Sequence, residues 1–260
     1  LANEIFNFDV KEIEIKEDGN RFIGKNGGTA KSIDGTTITA KNFDYKKNEN
    51  ILFASGKVKV YVPRDNIFLF ADKITYYKND ELIFSEGNSK AIDDEIQIDA
   101  KNFEYNKLAN IINAIGDVKI NNKKENYLIY SDKITYYKND ELIFSEGNSK
   151  AISEGVLING DDFNYDQKQN ILIAKGNVKI EDKIENLILK TDYINYNKNS
   201  EKIFTKGDTI AFVNSKYEFV SKNIFLDRKS KELKSDHYST IKDDNLNFYK
   251  LSKFLYFYEK

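Results

Sequence analysis

The chain has 260 residues, room for one large domain or two ordinary ones, and 40 basic residues against 42 acidic ones leave a net charge of −2 that marks no nucleic-acid partner. With 40% apolar and 13% aromatic residues it is too rich in core-forming side chains for a disordered chain. Zero Cys and a single histidine, His237, exclude disulfides, thiolate chemistry, Cys-ligated metals, His-based triads and multi-His metal centres, so any enzymology must rest on carboxylates, Tyr or Lys; no metal, cofactor or catalytic residue is expected.

In chain order the first arm carries Phe6, Phe8 and Val10, then Ile13 and Ile15, at the period of two that belongs to strands. The next carries Ile38, Ala40, Phe43 and Tyr45 and, after the turn segment KKNEN, Leu52, Ala54, Gly56, Val58 and Val60. The lone proline, Pro63, falls in VPRDN, a connection between hairpins, as expected where nearly every other backbone N–H is needed in a ladder. From Asp72 to Ile92 the chain reads DKITYYKNDELIFSEGNSKAI, and the same 21 residues return as Asp132 to Ile152, 60 positions later.

That displacement aligns the rest. Glycines stand at 27, 56, 87, 116, 147, 176 and 207, in steps alternating 29 and 31, and tyrosines at 45, 76, 105, 136, 165 and 196, each 11 residues before a glycine. Seven residues after each Tyr comes an aliphatic side chain and nine after it a small one, while two before it stands Phe43, Ile74, Phe103, Ile134, Phe163 or Ile194. Five before it the column is small (Ala40, Ala71, Ala100, Ser131, Gly160, Thr191), a three-residue step that signals a β-bulge in that arm. Pairing each Tyr with the residue seven later places the small column opposite the glycines. Beyond each glycine, alternate units carry Val and Ile, or the small set Ser89, Ala91, Ser149, Ala151, Thr209 and Ala211, which either interdigitates with larger neighbours or leaves room for a guest. His237 takes a glycine position in a degenerate terminal repeat and reads as a turn residue; a final arm ends near Tyr256.

The pattern predicts an all-β protein: a long antiparallel sheet of repeated hairpins, roughly 80 Å by 36 Å, folded lengthwise at the bulge and small-residue crease into a V-shaped β-jellyroll with an apolar interior. Residues 1–260 are expected to form a single domain of about eight hairpin repeats of 29 to 31 residues. Outward positions carry Lys41, Asp72, Lys101, Asp132, Asp161 and Asp192. The antiparallel register argues against a β-solenoid adhesin or glycosidase, and Asp93/Asp94 and Asp161/Asp162 fall on polar loops or outer faces rather than in a catalytic pair. A small column at mid-strand in every arm argues against a transmembrane barrel. The tyrosine ladder reads as aromatics stacked at one edge, where they stabilise cross-strand pairs whether or not anything binds.

The repeated pattern, seen in IQIDAKNFEYNKLANIINAIGDVKI (96–120) and VLINGDDFNYDQKQNILIAKGNVKI (156–180), resembles the OstA-like β-jellyroll domains of lipopolysaccharide transport, a family that includes LptA, LptC and the amino-terminal part of LptD. The resemblance implies a non-enzymatic periplasmic conduit that shields lipid A acyl chains, with other OstA-like domains (LptA, LptC) joined through open strand edges. It implies lipid contact along the inner columns Ile38, Val58, Leu69, Ile74, Ile98, Phe103, Val118, Ile129, Ile134, Ile158, Phe163, Val178 and Leu189. A start like a processed mature terminus, LANEIFNFDV, and an uncapped strand-like end favour the LptD amino-terminal domain over a free-standing LptA-like bridge. In that case the chain is a fragment of a longer protein, with an outer-membrane β-barrel downstream and attachment to the outer membrane. The cysteines that tie domain to barrel in some members are absent.

Overall fold

The computed structural model describes residues 6–258. Its strands are β1 (Phe6–Lys16), β2 (Arg21–Ser32), β3 (Thr37–Ala40), β4 (Asn42–Lys46), β5 (Ile51–Val62), β6 (Ile67–Tyr77), β7 (Leu82–Ile92), β8 (Ile96–Asn106), β9 (Ile111–Asn122), β10 (Tyr127–Tyr137) and β11 (Leu142–Ser153). They continue with β12 (Val156–Asp166), β13 (Ile171–Asp182), β14 (Leu187–Asn197), β15 (Lys202–Thr205), β16 (Asp208–Val213), β17 (Tyr217–Lys222), β18 (Phe225–Asp227), β19 (Glu232–Ser235), β20 (Ser239–Lys242), β21 (Phe248–Leu251) and β22 (Phe254–Phe257). All 22 belong to an antiparallel sheet, as the period-two columns require. No helix among the described residues is long and apolar enough to cross a membrane.

The chain divides into two compact units, one of Leu1–Glu125 with Lys133–Asn139, the other of Asn126–Asp132 with Asp140–Lys260. In the first, β1 to β9 pair with their sequence neighbours, β3 and β4 acting as one arm interrupted at Lys41. In the second, β11 to β14 pair in order. Beyond β14 the sheet forks at the crease, one leaf running β15, β18, β19, β22 and the other β16, β17, β20, β21. His237 lies at this fork, between β19 and β20, with its ring 2.9 Å from the Asn223 amide.

The expected pairs form: Tyr76 faces Ile83, Ile74 faces Ser85, Tyr165 faces Leu172 and Phe163 faces Ala174. The crease differs from expectation in two respects. Ala100 lies opposite Ser89 and Gly160 opposite Ser149, two residues beyond the glycine, so the small column does not face the glycines. The extra residue therefore belongs to the glycine strand, where inward positions step from Ser85 to Ser89 while the neighbour steps from Phe103 to Ala100. Consecutive left-handed residues absorb it: Gly87 and Asn88 at φ 76° and 47°, Gly116 and Asp117 at φ 84° and 49°. Glycine meets no Cβ penalty there, and Asn and Asp tolerate that region best among the rest. The outward column is exposed as expected and closes over the bulge, Asn88 donating to Asp72 at 2.8 Å and Asn148 to Asp132 at 2.7 Å.

Ile13 and Ile15 are 49% and 59% exposed rather than on the core face. They lie in the second half of β1, opposite Gly24 and Phe22 of β2, the strand with which β1 pairs among the described residues. Pro63 opens the β5–β6 turn as expected.

Candidate lipid-binding interior

All thirteen inner-column residues point inward, none more than 3% exposed. The first unit holds Ile38, Val58, Leu69, Ile74, Ile98, Phe103, Val118 and Ile134; the second holds Ile129, Ile158, Phe163, Val178 and Leu189. Register lines them into rows across the strands. One row in the first unit runs Phe43, Ala54, Ile74, Ser85, Phe103, Ala114; one in the second runs Ala151, Ile158, Ile180, Leu189, Ala211, Phe219. In the first row large and small side chains alternate, so neighbours interdigitate, whereas the second sets three large aliphatic residues, Ile158, Ile180 and Leu189, side by side.

The small polar residues have a different task. Where the bulge takes Phe103 out of the ladder, its N–H donates to Ser85 Oγ at 2.9 Å; Ser85 and Ser89 share a bond of 2.8 Å, and Ser89 donates to the Lys101 carbonyl at 3.0 Å. Sixty residues later Ser145 and Ser149 do the same for Phe163 and Asp161, at 3.2, 2.7 and 3.0 Å. Thr205 accepts from Ile224 N–H and pairs with Thr209 at 2.7 Å. Ser89, Ser149 and Thr209 thus satisfy backbone groups freed by the crease rather than leaving room for a guest. Two hydroxyl residues four apart astride a glycine were the available signal.

Room remains beside the alanines. A cavity of about 10 Å³ touches Ile67, Ala91, Ile96, Ile98, Ile112 and Tyr136. A second, of about 40 Å³, is lined at the corresponding positions by Tyr127, Ala151, Val156, Ile158, Leu172 and Tyr196.

Sequence reasoning missed the closure of this interior. Hairpin turns fall in two rows at opposite ends of the arms, and within each unit the rows meet. In the first unit Asp34, between β2 and β3, reaches Lys107 at 2.5 Å and Lys78 at 3.3 Å. Lys107, only 2% exposed, also contacts Glu81 at 2.5 Å and the Tyr76 hydroxyl at 2.6 Å, and Lys78 pairs with Glu81. Asp65 accepts from the Tyr105 hydroxyl at 2.7 Å, and Asp93 meets Lys138 at 2.7 Å. In the second unit Tyr127 donates to Gln167 at 2.6 Å, Asp182 meets Arg228 at 2.6 Å, and Glu185 pairs with Lys231. A buried ammonium such as that of Lys107 is tolerable only with this many partners.

The electrostatics follow. Burial works to raise the Asp34 carboxyl, but hydrogen bonds from Lys107, Ser32 and the Thr36 N–H outweigh it and hold the group well below the usual carboxylate range. Glu81 is lowered in the same way, against burial, by Lys107, Lys78 and Tyr76. Burial, with Glu81 beside it, pushes the Tyr76 phenol far up, so it stays a neutral donor. Among the described residues no group of three or more His, Cys, Asp or Glu side chains could hold a metal ion.

Residues 37–141 match the family described as the LptA/(LptD N-terminal domain) LPS transport protein. No curated protein matches the chain. Among solved structures, LptH, the LptA-homologous periplasmic component of the lipopolysaccharide transport device of Pseudomonas aeruginosa, matches at 16% identity over 42% of this chain and 82% of its own, with a TM-score of 0.40. The stretch 37–141, which holds three of the glycine–tyrosine units, thus carries the OstA-like lipopolysaccharide transport family's own pattern.

Proposed function

We propose that this chain is a non-enzymatic lipopolysaccharide-binding conduit whose interior shields lipid A acyl chains in the periplasm. The observation that carries the reading is the interior itself: rows of aliphatic and aromatic side chains run across every long arm, closed by side-chain pairs between turns. Among the described residues the seam contacts run through side chains, so the leaves can part there without breaking a ladder. Each methylene moved from water into such rows gains about 0.8 kcal/mol, so an acyl chain of about 12 carbons repays the loss of several seam contacts. The edge strand β1, and β21 and β22 with their exposed Phe248, Tyr249, Leu255 and Phe257, are the places where another OstA-like domain would add its own strands. In this reading the chain is the amino-terminal domain of an LptD, attached to the outer membrane through a β-barrel, or a bridge of the LptA kind.

A photo-crosslinking amino acid at Ile98, Ile129 or Ile158 is expected to capture lipopolysaccharide, whereas one at the outer-face Lys119 is not. Equal capture inside and outside overturns the conduit reading.

A further inference from the structure

Five creases are covered on their outer side in the same way. At Gly56, Gly87, Gly116, Gly147 and Gly176 the outward side chain of the preceding arm, Lys41, Asp72, Lys101, Asp132 or Asp161, lies over the glycine. In four of them the residue after the glycine ties it down: Asn88 holds Asp72 at 2.8 Å, Asp117 holds Lys101 at 2.8 Å, Asn148 holds Asp132 at 2.7 Å and Asn177 holds Asp161 at 3.1 Å. The crease at Gly207 is built differently. Its corresponding residues are Asp192 and Asp208, two carboxylates with no hydrogen to share, and Asp208 is not left-handed as the residues after the other five glycines are. Apart from Gly207 and its chain neighbours, no heavy atom stands within 4 Å of where a Cβ at 207 would be. The outer face is open there as a groove of about 760 Å³ that reaches from β13 across β14, β16 and β17 to Thr240 of β20, roughly 19 Å at about 4.8 Å per strand. Its lining is mixed. Lys179, Lys190 and Lys222 are balanced by Asp192, Asp208 and Glu181, the last pairing with Lys179. Tyr238 in its wall is 64% exposed, and Val220, paired in register with Ile210, is 42% exposed.

We propose that this groove binds a neutral saccharide chain of the N-acetylhexosamine type, one sugar face on the Tyr238 ring, acetamido methyls against Ile210 and Val220, and hydroxyls between the lysines and the aspartates. The groove lies on the outer face, so the proposal stands apart from any role of the interior. A hydroxyl both donates and accepts, and so serves an ammonium and a carboxylate together. A polyanion would meet Asp192 and Asp208, and a cation would meet the three lysines. The ring's negative face suits the C–H face of a pyranose, and the few apolar side chains beside it give the groove its orientation. An added peptide strand finds no ladder here, because β13, β14, β16, β17 and β20 are each paired on both sides.

The test titrates the full chain, labelled with nitrogen-15, with chitotetraose, the neutral tetramer of N-acetylglucosamine, and separately with the phosphorylated, lipid-free oligosaccharide released from lipopolysaccharide by mild acid. Chitotetraose is expected to shift the amides of 177–179, 190–192, 208–210 and 220–222 and to leave those of the covered crease at 145–149 in place. Tyr238→Ala weakens the binding about tenfold, and Tyr238→Phe, which keeps the ring face, retains it within about twofold. Tyr249→Ala, an exposed tyrosine outside the groove, changes nothing. Shifts that are absent at millimolar sugar, or that persist unchanged in Tyr238→Ala, overturn the proposal. So does binding of the phosphorylated oligosaccharide as tightly as chitotetraose or more so, which would make the groove a site for anions.

Discussion

At the scale of single residues, the polar atoms inside the sheet are answerable to the backbone. Ser85 is 2% exposed, and its oxygen takes the buried N–H of Phe103 while bonding Ser89. Ser85→Ala leaves that N–H without an acceptor, a loss of about 1–3 kcal/mol. Urea unfolding is expected to show the midpoint falling with an unchanged slope, and the matching Ser145→Ala to behave alike because Ser145 serves Phe163 in the same way. A neutral result at both positions would mean that water reaches the crease. The thirteen inner residues were legible because burial imposes a period of two on them. Asp34, Lys107 and Arg228 were not: a charged turn residue looks the same in sequence whether it faces solvent or a turn folded back onto it, and only closure of the leaves decides.

At the scale of the element, the unit is an arm with a fixed offset. A glycine strand takes four steps between inward positions across the crease and its neighbours take three, so each crease absorbs one residue without disturbing the columns beyond it. Deleting Asn88 removes that residue and reverses the face of the later positions of β7, turning Lys90 inward and Ala91 outward. An uncompensated buried ammonium costs several kcal/mol, so the deletion is expected to abolish cooperative unfolding of the first unit and to open β7 and β8 to limited proteolysis. Wild-type protection of those strands would show that the register is set elsewhere. The three-residue step announced a bulge in the sequence, and the turn composition announced the hairpins. The strand bearing the surplus residue was hidden, because a step of four keeps the parity of a regular strand and its left-handed residues, Gly–Asn, also read as an ordinary turn.

At the scale of the whole molecule, closure is electrostatic in each unit and therefore sensitive to protons. The Asp34 and Glu81 carboxyls are depressed when folded, so their contribution is fully present above the unfolded carboxylate range, about pH 4 to 4.5, and is lost as pH falls through the folded values. Thermal stability of the first unit is expected to hold from pH 7 to about 5 and to fall below about 4, with Asp34→Asn reducing the slope. An unchanged slope in that variant would place the acid sensitivity outside the seam. A different consequence comes from how near in sequence the partners lie. Long arms pair with the arms before and after them, and seam contacts such as Asp93–Lys138 and Asp182–Arg228 join residues 45 and 46 apart. A chain with so local a contact map need not wait for its far end before it begins to fold. As the chain lengthens, each hairpin has its ladder partner already formed, and a few dozen residues later the turn that latches over it. The same arrangement that closes the apolar interior would thus limit how long its own apolar rows stand bare.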